Sequence, residues 1–310
     1  MSNFTITLFG KFNIEHRGQK IEAIRSHKAQ ELLGYLLLYR NRAQPREALA
    51  ELLWEDQPPA KSKKYLRQTL WLLQSALKDG ADSQSPELLV DDEWVQINPT
   101  RDFRVDATQF ENIYNSVKGK PAQGLYSLDF KSIQKAVHLY KGDLLEGWYQ
   151  DWCMIERERF EIMYLMLLDK LIQFCEIRQE YTVGLIYAAE ILRHDQAYES
   201  AHRQMMRLYF LAGDRTQALR QYERCAIALR NELDVEPSEE TRQLYEKIRL
   251  DIFDPSLPGS EGKRARDGHS ALPHVDMLQQ LISFSNELGQ IQNKIQKEII
   301  HIKHTLPPGG

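Results

Sequence analysis

Residues 61–78 read KSKKYLRQTLWLLQSALK, and the fold turns on this stretch. At about 100° per residue, Leu66, Leu70, Leu73 and Leu77 gather on one side, the seam of a helix laid on a core. The other side carries Lys61, Lys64, Gln68, Trp71 and Ser75, with Arg67 and Lys78 on its flank and no Asp or Glu in the run. Such a face is either solvated or set against something anionic. The surrounding sequence discriminates between the two.

Upstream, Ser26 is placed to cap a helix in which Ala29, Leu32, Leu33, Leu36 and Leu37 form the stripe of a core-facing surface. Pro45 suits the first turn of a short helix carrying Leu49, Leu52, Leu53 and Trp54, and Pro58-Pro59 is expected to end it. Before these, Phe4, Ile6 and Leu8 alternate with Thr5 and Thr7. Gly10 and Arg17-Gly18 mark turns around Phe12 and Ile14, so the first residues read as a small β-meander. Downstream, Leu88-Leu89-Val90, a turn at Asp91-Asp92, and Trp94-Val95-Gln96-Ile97 form a hairpin signal closed by Asn98-Pro99.

Strands, three helices and a hairpin are the plan of a winged helix-turn-helix, in which the third helix enters the major groove and the hairpin is the wing. On that plan Arg67 and Gln68 are candidates for base edges, because a guanidinium and an amide pair bidentately with guanine and adenine. Lys61 and Lys64 suit phosphates. Trp71 can pack on a thymine methyl or a sugar, and Ser75 and Lys78 extend the same face. Arg25, His27 and Lys28 precede the first helix, where backbone N–H groups and the helix dipole attract phosphate; plain capping is the alternative there. Asp91, Asp92 and Glu93 make the wing tip acidic.

From Asp106 the pattern is almost wholly helical. Tyr209, Gly213-Asp214, Thr216, Ala218 and Tyr222 align, at an offset of 34 residues, with Cys175, Gln179-Glu180, Thr182, Gly184 and Ala188. That is the period of tetratricopeptide (TPR) repeats, helical hairpins whose stacking leaves a concave groove. Trp148, Tyr149 and Trp152 cluster at the entrance to this region and read as packing between domains, with a small-molecule pocket as the other reading. Glu156, Glu158 and Glu161 alternate with Arg157 and Arg159 as on a solvated, salt-bridged face. Asp254 to Pro273 is rich in Pro, Gly and Ser. Beyond it Met277, Leu281, Phe284, Leu288, Ile291 and Ile295 space as in a coiled coil, which would either pair two chains or fold back on the groove.

Composition bounds the rest. With 310 residues, 42% hydrophobic and net charge −4, the chain suggests two domains and an appendage. No apolar run approaches the ~18 residues of a membrane span, and the N-terminus has no signal-peptide pattern, so a cytoplasmic location is expected. Cys153, Cys175 and Cys225 are far apart and read as reduced core thiols. The nine histidines suggest no metal cluster, and no cofactor motif is present. Without a Gly-rich phosphate loop, HExxH or GxSxG, an enzyme is not expected.

The stretch ESAHRQMMRLYFLAGDRTQALRQYERCAIALRNELDVEPSEETRQLYEKIR (Glu199 to Arg249) resembles the bacterial transcriptional activator domain of Streptomyces antibiotic regulatory protein (SARP)-like regulators, as does YKGDLLEGWYQDWCMIERERF (Tyr140 to Phe160). RSHKAQELLGYLLLYRNRAQPREALAELLWED and KKYLRQTLWLLQSAL resemble the OmpR-type winged helix of the same proteins, although Leu72 and Gln74 stand where the family usually has basic residues. The resemblance implies a mainly α protein. It implies a winged helix-turn-helix with small β-sheets (1–100) before an all-α TPR-like domain (106–252); the linker (253–273) and the C-terminal helix (274–305), read from composition and spacing, lie outside the resemblance. It implies a regulator, an activator by expectation, that binds promoter double-stranded DNA and contacts RNA polymerase or a partner protein. Leu281, Phe284, Leu288, Ile291 and Ile295 would form a homodimer seam. The alternative is an adaptor whose winged helix no longer binds DNA and whose groove holds a partner polypeptide.

Overall fold

The computed structural model describes residues 4–78 and 86–253, and those up to Arg249 form one compact unit. The expected linker and coiled-coil seam, Leu281 to Ile295 included, lie outside the described residues. The architecture is mainly helical with two small sheets, as expected. No helix among the described residues is long and apolar enough to cross a membrane.

Strands β1 (Phe4–Thr7), β2 (Asn13–His16) and β3 (Gln19–Lys20) form the meander. A fourth strand, β7 (Phe103–Val105), has no signal in the sequence pattern; it pairs parallel to β1 with Ile6 opposite Val105. Three helices follow the meander: α1 (His27–Leu38), α2 (Arg46–Leu53) and α3 (Pro59–Ala76). The wing is β5 (Leu88–Val90) and β6 (Trp94–Ile97), with β4 (Gln44–Pro45) on the other edge of β6. Ser26 occupies the N-cap position of α1 but makes no side-chain capping bond. Pro58 and Pro59 do not close α2. They open α3 as N-cap and first residue, where a fixed φ and a missing N–H cost nothing.

The helical region runs α4 (Asp106–Val117), α5 (Ser127–Leu139), α6 (Asp151–Ile177), α7 (Tyr181–His194), α8 (Glu199–Leu211), α9 (Arg215–Leu233) and α10 (Glu239–Arg249). The 34-residue period is visible in the turns. Glu180 N–H donates to the Cys175 carbonyl at 2.8 Å, and Asp214 N–H to the Tyr209 carbonyl at 2.8 Å. Gln179 and Gly213 sit at the same left-handed turn position, with φ of 62° and 82°. Gly184 is small for a reason: a Cβ there would lie 3.0 Å from Leu208 Cδ1.

The two regions interlock through backbone as well as side chains. Leu145 N–H donates to Leu8 O (2.7 Å) and Gly10 N–H to Asp143 O (2.8 Å). The buried Asp106 carboxylate accepts from the N–H groups of Leu8, Phe9 and Ala107 at 2.8, 3.1 and 2.7 Å. Burial raises its pKa, and the three N–H donors pull it back. Phe9 meets Phe110 and Phe160 edge-on, with centroids 5.3 and 5.4 Å away.

The start of α6 corrects one expectation. The alternating charges are salt-bridged but only partly solvated: Glu158 is exposed and Glu161 half-buried, whereas Glu156 is 5% exposed and accepts from Tyr39 Oη (2.6 Å) and Arg159 Nε (2.8 Å), and Arg159 also pairs with Glu111. Arg157 donates to the carbonyls of Leu144, Leu145 and Trp148 at 3.2, 3.0 and 3.0 Å, pinning a turn in which Leu145 and Gly147 both have positive φ. Burial works against the Arg159 charge, but Glu156 and Glu111 outweigh it and raise its pKa. Tyr39 is raised too, by burial first and by Glu156 second.

Candidate nucleic-acid interface

The angle between α2 and α3 is set by a residue that no motif singles out. Ser62 is buried on the first turn of α3, and its hydroxyl lies 3.2 Å from the carbonyls of Trp54 and Gln57 and 3.3 Å from that of Pro58. Its place among exposed lysines in KSKK is the one signal the sequence carries. Leu66, Leu70 and Leu73 are buried against the core, as their spacing required. The opposite face is open.

Lys61, Lys64, Arg67, Gln68, Trp71 and Ser75 are all exposed along that face, and Lys78, just past the C-cap of α3, is exposed too. None of their side chains has a hydrogen-bond or ion-pair partner among the described residues. Trp71 is 71% exposed. Lys63, a neighbour off the stripe, pairs instead with Glu47 of α2 at 2.6 Å, which holds the Glu47 carboxyl below its usual range. Leu72 and Gln74 are half-buried beside the stripe, not on it.

The three residues before and at the start of α1 are placed differently. Arg25 is engaged by the side chain and carbonyl of Glu22. The His27 ring lies 4.6 Å from that of Trp148, and Lys28 Nζ is 2.9 Å from the fully buried Glu31. Trp152 Nε1 donates to the same Glu31 (3.4 Å) and its ring meets Tyr35 edge-on at 5.3 Å, while Trp148 stacks on Phe12 at 6.0 Å. Tyr149, expected with these two tryptophans, does not join them: it is 79% exposed, on the outer side of the turn that Arg157 holds.

At the wing, Asp91 accepts from the N–H groups of Glu93 and Trp94 at 2.8 and 2.7 Å, so one acidic side chain builds the turn. Arg46 Nη1 donates to the Asp91 carbonyl at 2.6 Å and Arg46 N–H to the Glu93 carbonyl at 2.8 Å. A cation from the start of α2 therefore sits on the acidic tip. Elsewhere, burial pushes the Cys153 thiol up to about 11 and those of Cys175 and Cys225 up to about 12, so neutral pH leaves them unionised. Among the described residues no group of three or more His, Cys, Asp and Glu side chains is placed to hold a metal.

Comparison with known proteins fits this arrangement. Residues 105–249 match the bacterial transcriptional activator domain. The chain is 24% identical over 252 residues to transcriptional regulatory protein MoaR1 of Mycobacterium tuberculosis, covering 78% of each. It is 25% identical over 253 residues to regulatory protein DnrI of Streptomyces peucetius, covering 78% of this chain and 91% of that one. A solved structure of Mycobacterium tuberculosis EmbR in complex with a low-affinity phosphopeptide superposes with TM-score 0.68 at 18% identity, over 81% of this chain and 66% of that one. A winged helix joined to a bacterial transcriptional activator domain defines a transcriptional regulator. Over most of its length the chain is similar to the SARP-like regulators.

Proposed function

We propose that the chain binds promoter double-stranded DNA through the outer face of α3, and that the helical domain contacts RNA polymerase or a partner protein. The observation that carries the first part is the exposed stripe Lys61, Lys64, Arg67, Gln68, Trp71, Ser75, Lys78, whose side chains have no partner among the described residues. Uncompensated cations of one sign on an open helix are what a phosphate backbone recruits. Arg67 and Gln68, midway along the stripe, read base edges; Lys61 and Lys64, at the N-terminal end, meet phosphates. Arg25 and Lys28, each held by a glutamate, are secondary phosphate contacts at most, and His27 belongs to the seam with Trp148. The relatives' names support the regulatory role; activation and a cytoplasmic location belong to this reading.

The adaptor reading has one observation in its favour. A cleft of roughly 420 Å³ lies between α7 and α9, with Leu192, Arg193, Met205, Gln221, Arg224 and Ala228 among its lining. The deciding experiment is recovery of genomic fragments by the purified chain at two salt concentrations. A reproducible motif that persists at the higher salt, and is lost with unchanged folding in Arg67→Ala/Gln68→Ala, supports DNA reading. Diffuse, salt-labile retention that the double substitution leaves unaltered supports the adaptor.

A further inference from the structure

We infer that Trp71 is the specificity-determining residue of the α3 face and reads the 5-methyl group of a thymine in the major groove. The inference rests on the DNA-binding reading above and deepens it. Of the chain's five tryptophans, Trp148 and Trp152 are buried, Trp54 and Trp94 are half-buried, and Trp71 alone stands in solvent. Its neighbours on the stripe, Arg67, Gln68 and Ser75, are all polar, so it extends no apolar patch of α3 that a core would cover. A large indole held in water at the centre of an otherwise polar stripe is unfavourable in the free protein and gains when a partner covers it.

The chemistry of its neighbours indicates which edge covers it. A helical side chain leans over the turn before it, which brings the Trp71 ring towards Gln68, three residues earlier. In the major groove an A·T pair presents adenine N7 and N6 to an amide, and thymine O4 and its methyl beside them. Gln68 supplies the amide and Trp71 the apolar surface, so the pair matches A·T steps. A G·C pair offers no methyl and would set a cytosine amino donor against the indole, leaving a polar group without a partner.

The test uses the full chain and a fragment it retains. Each thymine in the site is replaced singly by deoxyuridine, which removes only the methyl. We expect a position at which wild type loses about fourfold, the worth of one methyl group taken out of water. Trp71→Ala should bind the natural site about tenfold more weakly and be indifferent to that same methyl, while Trp71→Phe keeps part of the dependence. Acrylamide quenching, which in the free protein reports chiefly on Trp71, should fall when the fragment is bound. Retained DNA with no methyl-sensitive position, or a dependence that survives Trp71→Ala, overturns the inference and leaves the DNA-binding reading standing. Unchanged quenching on bound DNA overturns it too and assigns the ring to a protein partner. A chain that retains no fragment sinks both.

Discussion

Two charged helical stretches, Lys61–Ser75 on α3 and Glu156–Glu161 on α6, end in different environments. On α3 the cations face outward, and those on the stripe have no partner among the described residues. On α6 Arg157 and Arg159 are nearly enclosed, and their donors are turned mostly onto carbonyls and carboxylates. The sign balance explains the contrast. An alternating ERERFE can neutralise itself and so can be taken out of water, given good geometry. A run with only Lys and Arg cannot, and stays at the surface unless an external anion arrives. At the start of α6 mixed charge is built into the packing, whereas the cations of the α3 stripe stay at the surface.

That contrast breaks most visibly if Glu156 is removed. Glu156→Ala strips Tyr39 and Arg159 of a shared acceptor and leaves a guanidinium in a poorly solvated site, with Glu111 its remaining carboxylate. A drop of about 3 kcal/mol is expected from breaking such a pair, read as a lower urea midpoint. DNA retention below the transition should not change, since no α3 side chain on the stripe touches it. The reverse pattern is expected of Lys61→Ala/Lys64→Ala. Its urea midpoint should stay within ~0.5 kcal/mol of wild type, as for exposed sites generally. The slope of log affinity against log salt should flatten by about 2, one unit for each phosphate no longer neutralised. A flat response to both lysines would remove the functional half of the comparison.

A further prediction concerns pH. His202, 4% exposed on α8, lies 2.9 Å from the Gln196 carbonyl through Nε2 and 2.8 Å from Gln221 Nε2 through Nδ1, the pattern of a neutral ring that donates once and accepts once. Burial lowers its pKa below the usual 6.5, and the neighbouring hydrogen bonds and carboxylates only partly offset that. The unfolded chain therefore takes up a proton first as pH falls. Stability is full above about 6.5 and declines as the pH drops from there towards the folded value. His202→Asn should flatten that decline in a series of urea midpoints at falling pH. An unaltered decline would assign the acid sensitivity elsewhere.

Much of this is legible in the sequence. The leucine seam, the wing and the helix order follow from periodicity and turn residues, because each is a local pattern. What escapes is non-local. β7 has three residues and exists because β1 needs a parallel neighbour. Glu31 and Glu156 are buried acids that each have a cation three residues away, Lys28 and Arg159, but their other partners, Trp152 and Tyr39, are over a hundred positions away, so no window of sequence shows why they are buried. Charge alone places Lys28 and His27 among the phosphate candidates; the Glu31 that engages Lys28 is one helical turn on, whereas only the fold shows Trp148 against His27. On α3 the exposed set is readable as a whole because one helix carries all of it.

The smallest effect expected tests the repeat itself. Gln179 and Gly213 occupy equivalent turns 34 residues apart, with the same carbonyl-capping bond on the following N–H, yet only one of them is glycine. A side chain in the left-handed region meets its own carbonyl, at a cost of about 1 kcal/mol or more that glycine avoids. Gln179 is exposed and its side chain has no hydrogen bond among the described residues, so replacing it relieves strain and breaks no interaction. Part of the gain is offset by the greater freedom of glycine in the unfolded chain. Gln179→Gly should therefore raise stability by roughly 0.5 kcal/mol, and Gly213→Ala should lower it by about 1 kcal/mol. Urea titrations of both decide the point. Should Gln179→Gly destabilise, the two turns are not equivalent, and the first repeat departs from the second in backbone as well as in sequence.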